Sequence, residues 1–100
     1  MSYTHQRVSW EMVDEQDEYS DFHYKSPVTI TARKQPKEEV FKDDSGLELL
    51  SKSYFYVDPL IEPNALSINK MDKLDGETVR KRYIMYDLMG KPKMVRFITV

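Results

Sequence analysis

Pro27-Val28-Thr29-Ile30-Thr31-Ala32-Arg33-Lys34 is the stretch that decides the fold class. Val28, Ile30 and Ala32 alternate with Thr29, Thr31 and Arg33, the period of a strand with one buried face and one wet face. Gln35-Pro36 then breaks the run, because proline donates no hydrogen bond to a ladder.

Downstream of this strand, turn signals recur about every ten residues. Asp43-Asp44-Ser45-Gly46 predicts a chain reversal after Val40-Phe41, and the aromatic, β-branched end of Leu47 to Val57 predicts the returning strand, closed by Asp58-Pro59. The segment from Lys34 to Ser53 is charged and poor in apolar residues around its tip, so it reads as a hairpin projecting from the core. Residues 59–73 read as a loop with at most one short strand or turn around Ala65 to Ile68.

Asp75-Gly76 is a second hairpin turn. After it, Thr78 to Tyr86 alternates imperfectly, and Val79, Tyr83 and Tyr86 also fit a helical stripe; the Val, Tyr and Ile content and the flanking turn favour a strand. A turn around Gly90 leads into Met94 to Val100, a β-rich run that predicts a paired ladder strand. The pattern is mainly β, a small antiparallel β-barrel or sandwich.

Upstream, residues 1–24 read as an extended acidic arm. They contain Glu11, Asp14, Glu15, Asp17, Glu18 and Asp21 against Arg7 alone, a charge of −5 that leaves +3 for the rest of a chain totalling −2. Such polarity suits head-to-tail docking, and it equally suits a solubilising tail. Tyr3, Trp10, Tyr19, Phe22 and Tyr24 punctuate the arm without a clean period. They either pack on the domain's own sheet or anchor on a neighbour, where Trp and Tyr dominate binding energy.

The 100 residues allow one compact domain, expected over residues 25–100 with its projecting hairpin at 34–53. The absence of cysteine excludes a disulfide scaffold and thiolate metal sites, and it fits a reducing compartment. No run of apolar residues approaches the roughly 20 of a membrane helix, so no membrane is expected.

Catalytic patterns are missing. Gly46, Gly76 and Gly90 stand too far apart to form a phosphate-cradling loop, and His5 and His23 are the only imidazoles. Asp43-Asp44 and the pair Asp72 and Asp75 sit in turn contexts that favour aspartate for backbone reasons. The expectation is no enzyme, no metal and no cofactor. Arg80-Lys81-Arg82 followed by Tyr83 is a small basic patch beside an aromatic ring, the minimal footprint for a nucleic-acid backbone. Strand alternation would place only Arg80 and Arg82 on one face.

The order of these signals resembles the head-closure, or stopper, proteins of the head-tail connector of tailed bacteriophages. The residues that carry the likeness are Trp10, Tyr24 to Lys34, Gly46-Leu-Glu48, Ser51-Lys-Ser53, Asp72-Lys-Leu-Asp75 and Asp87-Leu-Met-Gly90. The chain departs from the usual pattern at Met71, where a glycine commonly precedes the aspartate, and at Gln35, where an acid is frequent.

The resemblance implies a barrel-like virion protein that forms a homo-oligomeric ring below the portal. Portal or adaptor protein would lie on one side and tail protein on the other, after assembly in the host cytoplasm. The ring would help retain packaged DNA, touching it transiently, and would offer the tail its docking surface. In that reading Lys37, Glu38, Glu39, Lys42, Asp43, Asp44 and Lys52 of the hairpin face neighbours or the channel. Of the arm's aromatics, for which packing on the domain's own sheet is the favoured reading, Trp10, Tyr19, Phe22 and Tyr24 are the candidate interface anchors. The alternative is a stand-alone barrel module that contacts nucleic acid through Arg80, Arg82 and Tyr83.

Overall fold

The computed structural model describes residues 5–16, 18–19 and 21–100. Readings placed on Tyr3 and Asp17 lie outside the described residues. Ten strands follow in chain order: β1 (Gln6–Glu11), β2 (Val13–Gln16), β3 (Phe22–Tyr24), β4 (Val28–Pro36), β5 (Val40–Lys42), β6 (Glu48–Leu50), β7 (Ser53–Val57), β8 (Lys73–Leu74), β9 (Glu77–Tyr86) and β10 (Pro92–Thr99). A single 3₁₀ turn, Ala65–Ser67, interrupts the β7–β8 connection.

Six strands close an antiparallel barrel in the spatial order β1-β4-β7-β10-β9-β8, with β8 returning to β1. Strands β8, β9 and β10 form a meander while β7 lies beside β10, the arrangement of a Greek key. Two hairpins stand outside as separate two-stranded sheets: β2–β3 between β1 and β4, and β5–β6 between β4 and β7. Closure leaves the barrel no continuous free edge, which is how a small sheet avoids unwanted pairing. No helix among the described residues is long and apolar enough to cross a membrane.

Alternation fills the interior. Val8 and Trp10 of β1, Ile30 and Ala32 of β4, Phe55 and Val57 of β7, Leu74 of β8, Val79 of β9, and Val95 and Phe97 of β10 are all buried together. Ala65 and Ile68 from the β7–β8 connection join the same cluster. Phe55 faces Phe97 across the β7–β10 ladder, and fully burying a ring of this kind contributes about 2–3 kcal/mol.

Residues 6–11 correct the reading of residues 1–24 as one arm. They are a barrel strand, with Val8 and Trp10 only 1% and 2% exposed. The short alternation Val8, Trp10 against Arg7, Ser9, Glu11 carries them inside, and only β2–β3 remains of the arm as an outlying element among the described residues. The domain therefore begins at β1, not at residue 25.

Polar residues complete the wall. Asp72, 2% exposed, accepts hydrogen bonds from Trp10 Nε1 at 3.0 Å, Val13 N at 2.9 Å and Asn69 N at 2.9 Å. Glu62, also buried, accepts from Thr31 N at 2.8 Å and so satisfies a strand donor that no neighbouring strand reaches. Lys34 shares the inner face with Phe55 and pairs with Glu77 at 3.1 Å, and Glu77 in turn accepts from Thr99 Oγ1 at 2.7 Å. Burial alone would raise the Glu77 carboxyl; the bonds from Thr99 and Lys34 outweigh it and hold that carboxyl below its ordinary range.

Candidate functional site

The two Asp-x-x-Gly segments fold into the same loop. Asp43 N–H donates to Leu47 O and Asp87 N–H to Lys91 O, while Gly46 and Gly90 return their N–H to the aspartate carbonyls. Each aspartate side chain then accepts from the backbone two and four residues on: Ser45 and Leu47 N–H at 3.0 Å for Asp43, Met89 and Lys91 N–H at 2.8 and 2.9 Å for Asp87. Gly46 and Gly90 hold φ of +86° and +81°, where a Cβ is disfavoured.

The β5–β6 tip is tied to the barrel. Asp43 Oδ2 accepts from Arg80 Nη2 at 2.8 Å, Asp44 pairs with Lys70, and Lys81 Nζ donates to Lys42 O at 2.6 Å. The Ser45 hydroxyl chiefly, with burial opposing and the Leu47 and Ser45 amides and Arg80 assisting, holds the Asp43 carboxyl below its usual range. Lys70 does the same for Asp44. Of the other hairpin residues singled out in the sequence, Lys37 pairs with Glu39 at 3.1 Å, and Glu38 and Lys52 are exposed. Only β5–β6 forms a sheet separate from the barrel, and its charged tip is paired within the chain; Lys34 to Pro36 and Ser53, read as part of the projecting hairpin, are rungs of the β4–β7 ladder because Pro36 sits at its last pair.

The sequence-adjacent basic cluster separates in space. Arg80 belongs to the Asp43 pair, and Arg82 lies opposite Phe97 on the inner side of the sheet, where Nη1 donates to Ile68 O at 3.1 Å and Asn69 Oδ1 at 3.3 Å. A register shift between Ile98 and Thr99 breaks the alternation that would align the two arginines. Tyr83 faces the other way. The three residues do not form one surface.

Tyr83 instead belongs to a row that crosses four strands on the outer face of the barrel. Register places Tyr83 beside Arg96, Arg96 beside Tyr56, and Tyr56 beside Arg33. The Arg96 guanidinium lies 4.6 Å from the Tyr83 ring centre and 5.5 Å from that of Tyr54, within cation–π range. Lys81 approaches Tyr83 at 5.3 Å and Lys37 approaches Tyr54 at 5.0 Å. Nε of Arg33 and Nε of Arg96 are both buried, and neither has a hydrogen-bond partner. No sequence window contains this row, because its four members come from β4, β7, β9 and β10.

The supposed anchors divide. Trp10 is core. Tyr24 Oη donates to Met71 O at 3.1 Å, its ring carries Lys73 Nζ at 4.7 Å, and burial, then the charges of Asp72 and Glu11, raise its hydroxyl pKa. Phe22 is half-buried in β3, and Tyr19 is 78% exposed.

An apolar surface that the sequence reading did not single out lies at one end of the barrel. Leu88 and Met89 of the β9–β10 turn are 105% and 84% exposed, and Leu60 of the β7–β8 connection is 93% exposed. Clefts on either side of Asp87 join Tyr86, Leu88, Met89 and Lys93 to one another, and Leu60 to Pro92 and Met94. Asp87-Leu-Met-Gly90 was readable as a turn; that its apolar pair stands at the same end of the barrel as Leu60 depends on tertiary structure. Among the described residues, no group of three or more His, Asp or Glu is close enough to hold a metal ion. No family model, curated protein or solved structure matches the chain.

Proposed function

We propose that this chain is a structural assembly subunit, working by docking and not by catalysis, and that it forms a ring at the head-tail connector of a tailed phage. There it would help retain packaged DNA and receive the tail. The observation that carries the docking reading is the barrel end where Leu60, Leu88 and Met89 stand almost fully exposed. Large apolar side chains clustered around shallow clefts lose little by staying in water singly, but together they favour a partner.

The specific setting rests on the resemblance to head-closure proteins. Met71 supports it in an unexpected way: this residue adopts φ of +76°, the left-handed region in which glycine is strongly preferred. The position where the resemblance calls for glycine is thus one whose backbone suits glycine. The nucleic-acid reading has less support, since Arg80 and Arg82 are engaged by Asp43 and by backbone carbonyls.

Mass spectrometry of purified virions and co-assembly with portal and tail components test the proposal. The chain is expected in the virion and in a connector complex. Absence from virions, together with failure to join either component, rejects it.

A further inference from the structure

The outward-facing positions of β4, β7, β10 and β9 carry Arg33, Arg96 and Lys81 and no carboxylate, in a chain whose total charge is −2. Along the row, Tyr56 and Tyr83 alternate with Arg33 and Arg96. Adjacent strands lie about 4.8 Å apart and β7 separates β4 from β10, so Arg33 and Arg96 spring from strands roughly 10 Å apart. The Arg96 guanidinium is held by the Tyr83 and Tyr54 rings, and Nε of Arg33 is buried beside it in the row. Guanidinium groups pre-positioned on rings lose little entropy on meeting carboxylates, which they bind in fork geometry.

Glu39 reaches the side of the row but is held by Lys37, which lies over Tyr54; acids without such a partner stand elsewhere on the molecule. Asp14 and Glu15 of β2 and Glu18 of the following turn are exposed, and none forms an ion pair with a described cation. Tyr24 of the same hairpin bonds to Met71, and Lys73 of β8 covers its ring, so β2–β3 leans over the β1–β8 seam. In the order β1-β4-β7-β10-β9-β8, the seam diametrically opposite is β7–β10, the centre of the Tyr/Arg row. One chain therefore carries the acidic hairpin and the basic row on opposite sides of its barrel. It cannot bring them together itself.

We infer that the Tyr83-Arg96-Tyr56-Arg33 row is the socket for the acidic β2–β3 hairpin of a second copy of this chain. The contact is heterologous: each copy gives its hairpin to one neighbour and receives another on its far side, the geometry that generates rings when it closes. This deepens the assembly reading above and rests on it. An acidic hairpin is a better occupant than a nucleic-acid strand because an overall acidic chain repels phosphate at long range, while its own hairpin supplies the complementary charge.

Sedimentation of the full chain over a range of concentrations and salt tests this, with circular dichroism to confirm folding. Self-association that weakens with added salt is expected. Arg33→Glu with Arg96→Glu should weaken it by roughly tenfold or more, as should Asp14→Lys with Glu15→Lys and Glu18→Lys, and an equimolar mixture of the two variants should associate again. Arg33→Gln with Arg96→Gln is the milder pair should charge reversal unfold the chain. Carbodiimide coupling of isotopically mixed copies should join Lys37 or Lys81 of one copy to Asp14, Glu15 or Glu18 of another.

Absence of association at every concentration, association indifferent to both reversals, or a mixture that stays apart would overturn the socket. So would uptake of a single-stranded oligonucleotide by the row with self-association unchanged. Rings that persist in the reversed variants and still join portal or tail reject the socket alone and leave the assembly reading standing.

Discussion

The Asp43–Leu47 and Asp87–Lys91 loops are chemically the same turn put to different ends. Both close with the same backbone bonds, both use an aspartate carboxylate to satisfy two amides, and both place glycine at positive φ. They differ in what surrounds them. The first has polar Asp44-Ser45 between its ends and is tied down by Arg80 and Lys70; the second has Leu88-Met89 and presents both to solvent. Local sequence sets the turn, and the two intervening residues with their tertiary neighbours set whether it is tied to the barrel or left exposed to solvent.

The sharpest way to break the contrast is to write one tip into the other. Leu88→Asp with Met89→Ser converts Asp-Leu-Met-Gly to Asp-Asp-Ser-Gly without touching either capping residue. Stability should change by no more than about 0.5 kcal/mol, because both side chains are already in water. Docking to connector components should fall by roughly a hundredfold, read by titration of the purified chain against them. A variant that docks normally removes this tip from the interface.

The next largest contrast is in thermal stability. Asp87→Ala loses two amide bonds at an exposed turn and should cost about 1 kcal/mol. Asp43→Ala loses the matching bonds and also those from the Ser45 hydroxyl at 2.6 Å and from Arg80, so its fall in Tm should be clearly the larger, roughly twofold. Arg80→Ala should fall between them. Equal melting shifts for Asp43→Ala and Asp87→Ala would show that the tether contributes nothing.

Much of this architecture was legible in the sequence. Alternation at Val28 to Arg33, the Asp75-Gly76 turn, with φ of +51° and +79°, and the final strand all appear where the residues place them. The strands missed were β1 to β3 and the two-residue β8; β1 was missed because an alternation of only two apolar residues is hard to hear amid acids, and burial of Trp10 depends on Asp72, 62 positions away. Asp72 itself read as a turn former, when its larger task is to satisfy Trp10 and two amides inside the wall. Arg80 and Arg82 misled because a bulge, invisible in composition, separates them. The Tyr/Arg row was beyond any local reading, since strand order and register alone bring it together.

Acid sharpens the comparison further. The Asp43 carboxyl is held below its ordinary value of 3.8, so the folded chain favours the ionised form more than the unfolded chain does. That stabilisation is fully present above the ordinary range and is lost as pH falls through the lowered folded value. Asp44 and Glu77 act in the same direction. Thermal melts should show Tm falling as pH drops below about 4, with a shallower fall in Asp43→Asn, which no longer has this proton to gain. An identical acid profile in Asp43→Asn would locate the loss elsewhere.

The smallest effect asks whether the two turns are as alike as their hydrogen bonds. Gly46 and Gly90 have nearly the same positive φ, and a Cβ built on either meets no atom within 4 Å. Crowding is therefore not the obstacle to alanine at either site; the backbone conformation is. Alanine should cost about 1 kcal/mol at each, partly offset by the smaller entropy of the unfolded chain, and the offset is common to both. The difference between Gly46→Ala and Gly90→Ala should stay within about 0.3 kcal/mol in denaturant unfolding. A clearly larger cost at Gly46 would mean that the Arg80 and Lys70 tether forbids the small backbone adjustment by which the untethered turn relieves the same strain, so that the tertiary contacts act on the turn's geometry as well as on its position.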